Sequence, residues 1–270
     1  MADEQSTIAA NDSIRMEDAV HAQSLDDLER AATDPTLSED LALSLLKHVE
    51  LPPSAIEHIS KNGTLMKLRK VRLGLISHPR APRHLSLPLL RHLYTFDLMS
   101  VALAPIVPAD VKKAAEEVMV TRLDTISAGE KLSLARRASG RIAEQLLLEK
   151  EPRIVETALQ NSRLTEASIV RVLARTQTPP ALIHAVCHHP QWSQRREVRI
   201  ALLRNEKTPL AKALEFAQSL SQAMLQEILK QSALPSAVKN CLLKSKSLAT
   251  SNSRLLPQAS CHRTGCLPKL

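Results

Sequence analysis

The sequence predicts an all-α protein, an α-solenoid of short helical hairpins, and three observations carry that expectation. Aromatic residues are 1% of the 270-residue chain, namely Tyr94, Phe96, Trp192 and Phe216, and glycines number 5. Sheet proteins need the strand formers and hairpin glycines that this composition lacks, whereas Leu- and Ala-rich runs favour helix. The turns between apolar runs are of one recurring type: an apolar residue or Thr, then Pro, Ser or Thr. The chain also repeats itself, because residues 34 to 113 laid over 161 to 240 without a gap give seventeen identities in 80 pairs. Chance would give about five or six at ordinary composition.

Residues 1 to 24 are polar and acidic without sustained periodicity, which predicts a disordered N-terminal tail. Residues 25 to 245 are expected to form the solenoid. Ser24 with Asp27 resembles a cap for a first helix that carries Leu25, Leu28 and Ala32. The second residues of the recurring turns are Ser38, Pro52, Pro82 and Pro108, then Thr165, Pro179, Pro209 and Pro235, so both series step by 14, 30 and 26. Ser38 and Thr165 supply acceptors for orphan N–H groups, and Pro suits a first helical turn, where no donor is needed. Between the copies, the patterns over 127–138 and 141–149, and one from Glu151 with Pro152 in its first turn, predict three further helices. Past about Lys246 the periodicity stops, which predicts a flexible C-terminal tail over 246–270.

The segments EVRIALLRNEKTPLAKAL (197–214) and KVRLGLISHPRAPRHL (70–85) set a Val-Arg pair inside a helix ahead of a turn that leads into the next. EPRIVETALQNSRLT (151–165) fits the same scheme. These segments resemble helical repeats of the HEAT and leucine-rich-repeat-variant families over roughly residues 34 to 245. The resemblance implies a stack of hairpins whose concave surface holds a protein or nucleic-acid partner. The unequal steps depart from a regular HEAT array.

The net charge of +8 hides an asymmetry: residues 1 to 40 hold eleven Asp or Glu and two Arg, a balance of −9, which leaves the rest at +17. Such an acidic strip on a basic body either aids solubility or mimics an acidic partner as an inhibitory arm. MADEQSTIAA lacks the basic start and apolar run of a secretory signal, and the most apolar stretch, 101–111, is broken by Pro105 and Pro108. A cytoplasmic protein with no membrane span is the expectation. Four cysteines in a chain of this length do not form a disulfide framework, in keeping with that compartment.

No Gly-rich phosphate loop, nucleophile elbow or H-E-x-x-H motif is present, so a non-catalytic scaffold without cofactor or metal is expected, binding a protein partner. The alternative is a nucleic-acid-binding solenoid whose basic face contacts phosphates, each contact adding salt-dependent affinity. A base-excision glycosylase on a helical-repeat scaffold would need a carboxylate and aromatics converging on one groove, and aromatics are few. The candidate binding residues are Lys67, Arg69, Lys70 and Arg72 in the first copy and Arg195, Arg196 and Arg199 in the second. For Arg72 and Arg199, each directly after a Val, the competing role is bonding the carbonyl ends of adjacent helices. His184, Cys187 and His188 share a helix face at ligand-like spacing, but the other copy has Glu57, Ser60 and Lys61 there. Cys261, His262 and Cys266 are one ligand short of a structural zinc site. Trp192 matches Leu65 and is expected in the core.

Overall fold

The computed structural model describes residues 25 to 253, and all its regular structure is helical. The helices are α1 Leu25–Thr33, α2 Glu39–Leu45, α3 Pro53–Lys61, α4 Arg69–Ser77, α5 Arg83–Leu90, α6 Thr95–Leu103, α7 Ala109–Arg122 and α8 Ala128–Arg137. They continue as α9 Gly140–Leu146, α10 Pro152–Leu159, α11 Glu166–Leu173, α12 Pro180–His188, α13 Arg196–Arg204, α14 Leu210–Gln218, α15 Gln222–Lys230 and α16 Ser236–Ser253. Short 3₁₀ turns, Leu65–Lys67 and Trp192–Gln194, precede α4 and α13. The segments 1–24 and 254–270, expected as tails, lie outside the described residues. α16 runs past Lys246, where the apolar periodicity ends, because no Pro or Gly stands between there and Ser253 to stop it.

Helix starts follow the capping logic of the sequence. Ser38, Thr165 and Ser221 accept the backbone N–H groups of Leu41, Ser168 and Met224, and Ser127 forms a capping box with Glu130. Pro52, Pro82, Pro108, Pro179 and Pro209 occupy the N-cap itself, with Pro53 and Pro180 in the first helical position. The proline ring already holds the φ each start needs and carries no donor to leave unpaired.

The duplication holds element by element. Seven helices, α1 to α7, recur as α10 to α16 with every start displaced by 127 residues, and the two 3₁₀ turns obey the same offset. The match therefore begins at Leu25 and Pro152, upstream of the detectable sequence repeat. There the conserved feature is burial: Leu28 and Ala31 in α1 and Val155 and Ala158 in α10 all face the core.

Two compact units divide the chain, the first holding α1 to α9 with residues 160–164 and the second holding α10 to α16. In the first, α1 packs on α3, α5 on α7 and α7 on α9, while α2 packs on α4 and α4 on α6. Successive helices such as α4 and α5, or α6 and α7, close the hairpins between these two layers. The second unit repeats the scheme with α10 on α12, α14 on α16, α11 on α13 and α13 on α15. The buried faces are aliphatic: Ile56, Val71, Leu75 and Leu98 in the first unit, and Ile169, Val186, Val198 and Leu225 in the second. Trp192 is buried, as expected, and its indole N–H donates to the Leu159 carbonyl at 2.8 Å.

No described residue has a positive φ, so no described helix closes with a left-handed glycine. Several end on an extended Asn or His instead, namely Asn62, His78, His189 and Asn205. The Asn205 side chain accepts the Lys207 N–H at 3.0 Å and donates to the Leu173 carbonyl at 3.0 Å. Asn161 accepts the Arg163 N–H at 2.8 Å and donates to the carbonyls of Ala135 at 2.8 Å and Ala138 at 3.1 Å. Asn161 and Asn205 thus hold their own turns and clasp the end of a helix some 23 to 32 residues earlier in the chain. The close approach fixes a glycine too, since a Cβ at Gly140 would overlap the Arg163 carbonyl oxygen.

Asn161→Ala orphans two buried carbonyls and should cost about 2–3 kcal/mol in urea unfolding. Asp34→Ala, at the equivalent position but bonding only within its own exposed turn, should cost less than about 1 kcal/mol in the same assay.

Candidate functional site

The basic residues singled out by sequence lie on and just before the first turns of α4 and α13, with Arg69 and Arg72 at the positions of Arg196 and Arg199. Lys67, Lys70 and Arg195 are exposed. Their surroundings differ between copies. Arg69 forms a bidentate pair with Asp97, Nε to Oδ2 at 2.8 Å and the terminal nitrogen to Oδ1 at 2.7 Å. The carboxylate is buried in the first turn of α6, and bonding to it raises the already high Arg69 pKa. The same guanidinium lies 5.2 Å over the ring of Tyr94, an arrangement that adds cation–π attraction. In the second copy Met224 replaces Asp97 and Ser221 replaces Tyr94, and the Arg196 guanidinium reaches only the Met224 sulfur at 3.2 Å.

Neither Val-Arg arginine bonds an adjacent helix end in the way that the sequence suggested. Arg199 donates to the Ser193 carbonyl in the 3₁₀ turn just before its own helix at 2.7 Å, bonds Gln194 at 2.6 Å and lies 5.6 Å over Phe216. The Arg72 Nε is buried without a hydrogen-bond partner. Donors one hairpin on take that role instead: Arg122 bonds the carbonyls of Leu93 and Arg91 and Arg163 that of Arg137, while Lys207 bonds the Thr178 carbonyl just before α12.

Around Tyr94 these contacts assemble a patch that no local motif announces. Arg122 reaches the turn after α5, beside Arg91, and Arg69 arrives from α4 with Lys67 and Lys70 close by in sequence. Tyr94 is 65% exposed and Phe96 is 38% exposed. Between His58 and Ala109 there are eight Lys or Arg and one acidic residue, the buried Asp97. That run without exposed acid was the available sequence signal. The aromatic exposure was not, because it depends on which face of α6 packs.

The ligand-like cluster on α12 does not converge. Cys187 is buried, with its thiol pushed up to about 11 by desolvation, whereas His184 and His188 are exposed with ring centroids 4.3 Å apart. Among the described residues, no group of three His, Cys, Asp or Glu is placed to hold a metal ion. Cys261, His262 and Cys266 lie outside the described residues. No described helix is long and apolar enough to cross a membrane. In the second unit a cavity of about 360 Å³ opens at the C-terminal ends of α11, α13 and α15, lined in part by Leu173, Ala201, Arg204 and Glu206. Two further lining residues, Thr176 and Ala233, stand where the first copy has the bulkier Val49 and Ile106.

Searches for related proteins find no matching family model, no matching curated protein and no matching solved structure.

Arg69→Ala strands a buried carboxylate and should lower the melting temperature. Adding Asp97→Met, which copies the second repeat, should recover most of that loss. With its thiol driven up, Cys187 should resist iodoacetamide at pH 7.5 while exposed Cys241 is labelled, as read by peptide mass spectrometry.

Proposed function

We propose that the chain is a non-catalytic, cytoplasmic scaffold of the HEAT-like helical-repeat kind, which binds a protein partner through the edge formed by the starts of α4 and α6. The observation that carries this reading is the exposure of Tyr94 and Phe96 beside Arg69. Tyr and Arg are the residue types that anchor protein interfaces, and a large exposed aromatic pair is unusual in a chain with so few aromatics. Arg69 is already held by Asp97, so little side-chain freedom remains to be lost on binding. The surrounding cations select an acidic surface with an apolar anchor to fill the space over Phe96. Of the exposed large apolar side chains, Val49, Leu87, Tyr94, Phe96 and Ile106 belong to the first unit and Leu210 to the second.

A second reading, nucleic-acid binding, is favoured by one observation: Arg196 has no carboxylate on it, unlike Arg69, and stands beside exposed Arg195. Against it, aromatics able to stack bases are scarce and one face of Tyr94 is covered by Arg69.

Tyr94→Ser with Phe96→Ala copies the second repeat and should leave the helical content intact. Affinity capture from the native cell should then lose the partner at least about tenfold; recovery of the same proteins by both forms would overturn the assignment. Titrating generic DNA and RNA from about 50 to 200 mM salt separates the alternative, which predicts a steep loss of affinity across that range.

A further inference from the structure

His78 stands where the second copy has Asn205, and it performs the same two tasks with an imidazole. Its ring is buried, at 3% exposure, in the turn after α4. Nδ1 lies 3.1 Å from the Arg80 backbone N–H, and Nε2 lies 3.0 Å from the His48 carbonyl in the turn after α2. A backbone N–H only donates and a carbonyl only accepts, so Nδ1 must be bare and Nε2 must carry the proton. The clasp between the ends of α2 and α4 therefore requires the neutral ring in one tautomer.

We propose that this clasp is a built-in acid switch: protonation of His78 releases the end of α4 from the end of α2 in the first copy, while the amide clasp of Asn205 holds in the second. An imidazolium has N–H groups at both positions, so its Nδ1–H would point at the Arg80 N–H and break the turn. The charged surroundings act in the same direction. Arg80 on the same turn repels a protonated ring, and its guanidinium is already paired with Glu50 from the turn after α2. His48 presents its carbonyl, the turn after α6 over 104–107 holds no titratable group, and Arg83 at the start of α5 pairs with Asp110.

Burial, first, and then Arg80 hold the His78 pKa below the ordinary histidine value, with the His48 carbonyl opposing them. A depressed folded pKa means that the clasp is at full strength above the unfolded value of about 6.5 and weakens as pH falls from there towards the folded value.

Hydrogen exchange of the full chain, corrected for intrinsic rates, tests this at pH 7.5, 6.5 and 5.5. Protection of the backbone amides of His48, Leu51, Arg80 and Ala81 should fall by up to about tenfold per pH unit below 6.5, while protection around Asn205 and Thr208 stays level. His78→Asn should abolish the pH step. Asn205→His should install one in the second copy. Parallel pH profiles at the two clasps in the wild-type chain, or an unchanged step in His78→Asn, would overturn the switch. Should His78→Asn fail to fold, the Asn205→His profile decides: a new local step supports the switch and a flat profile refutes it.

Discussion

Helices of seven to nine residues leave nearly as many backbone groups unpaired at their ends as they pair within, and the whole fold depends on how those ends are closed. Glycine in the left-handed conformation is the common answer, and this chain does not use it in any described turn. At His78, Asn161 and Asn205 its solution is a polar side chain that serves two turns at once. It accepts the N–H two residues on, which makes the next turn, and it donates to a carbonyl at the end of a neighbouring helix, which joins one hairpin to another. Local turn formation and hairpin stacking thus become the same event. Burying the donor makes the arrangement demanding, because a lost partner leaves an unsatisfied carbonyl inside the protein.

This constraint explains which parts of the duplication survive. Positions 78 and 205, 62 and 189, and 34 and 161 have diverged in identity yet remain Asp, Asn or His, the side chains able to accept an N–H two residues ahead. His189 reproduces the turn bond of Asn62 with its Nδ1, at a looser 3.3 Å to the Gln191 N–H against 3.1 Å from the Thr64 N–H to Asn62. What the copies do not share is the patch around Arg69. Asp97, Tyr94 and Phe96 have become Met224, Ser221 and Ala223, changes that no turn forbids. Retained turn chemistry beside an altered patch is the pattern expected when one copy takes on contacts that the other lacks.

The helix starts and the 127-residue period were legible because they rest on nearest-neighbour chemistry: Pro and Ser act where they stand. The α1 and α10 pair was less so, since the shared property is burial of Leu28 and Val155 rather than identity. The clasps could not be read at all from spacing. Asn161 to Ala135, Arg122 to Leu93 and Lys207 to Thr178 are 26, 29 and 29 residues apart, and they become neighbours only once the hairpins stack. The candidate site was half visible. The cations stood out in sequence, but the carboxylate that fixes Arg69 sits 28 residues away and the exposure of Tyr94 follows from the packing of α6. The metal-like run on α12 shows the opposite limit, because one-turn spacing suggests a shared face while the buried thiol and the exposed imidazoles diverge.

The basic character of the chain must be interpreted in the same light. Several cations are anchored to carbonyls, as Arg122, Arg163, Lys207, Lys239 and Lys246 are, and all but Lys207 bond at or just past a helix C-terminus, where the dipole ends in partial negative charge. Helices that close without glycine, as the described ones do, need such donors, so part of the positive charge follows from the fold. Net charge alone therefore overstates the case for nucleic acid. What the fold does not require is an exposed Tyr and Phe beside a fixed guanidinium, or a run of fifty-two residues whose one carboxylate is buried. Features that stability leaves unexplained are where binding is to be sought, and in this chain they coincide at the start of α6.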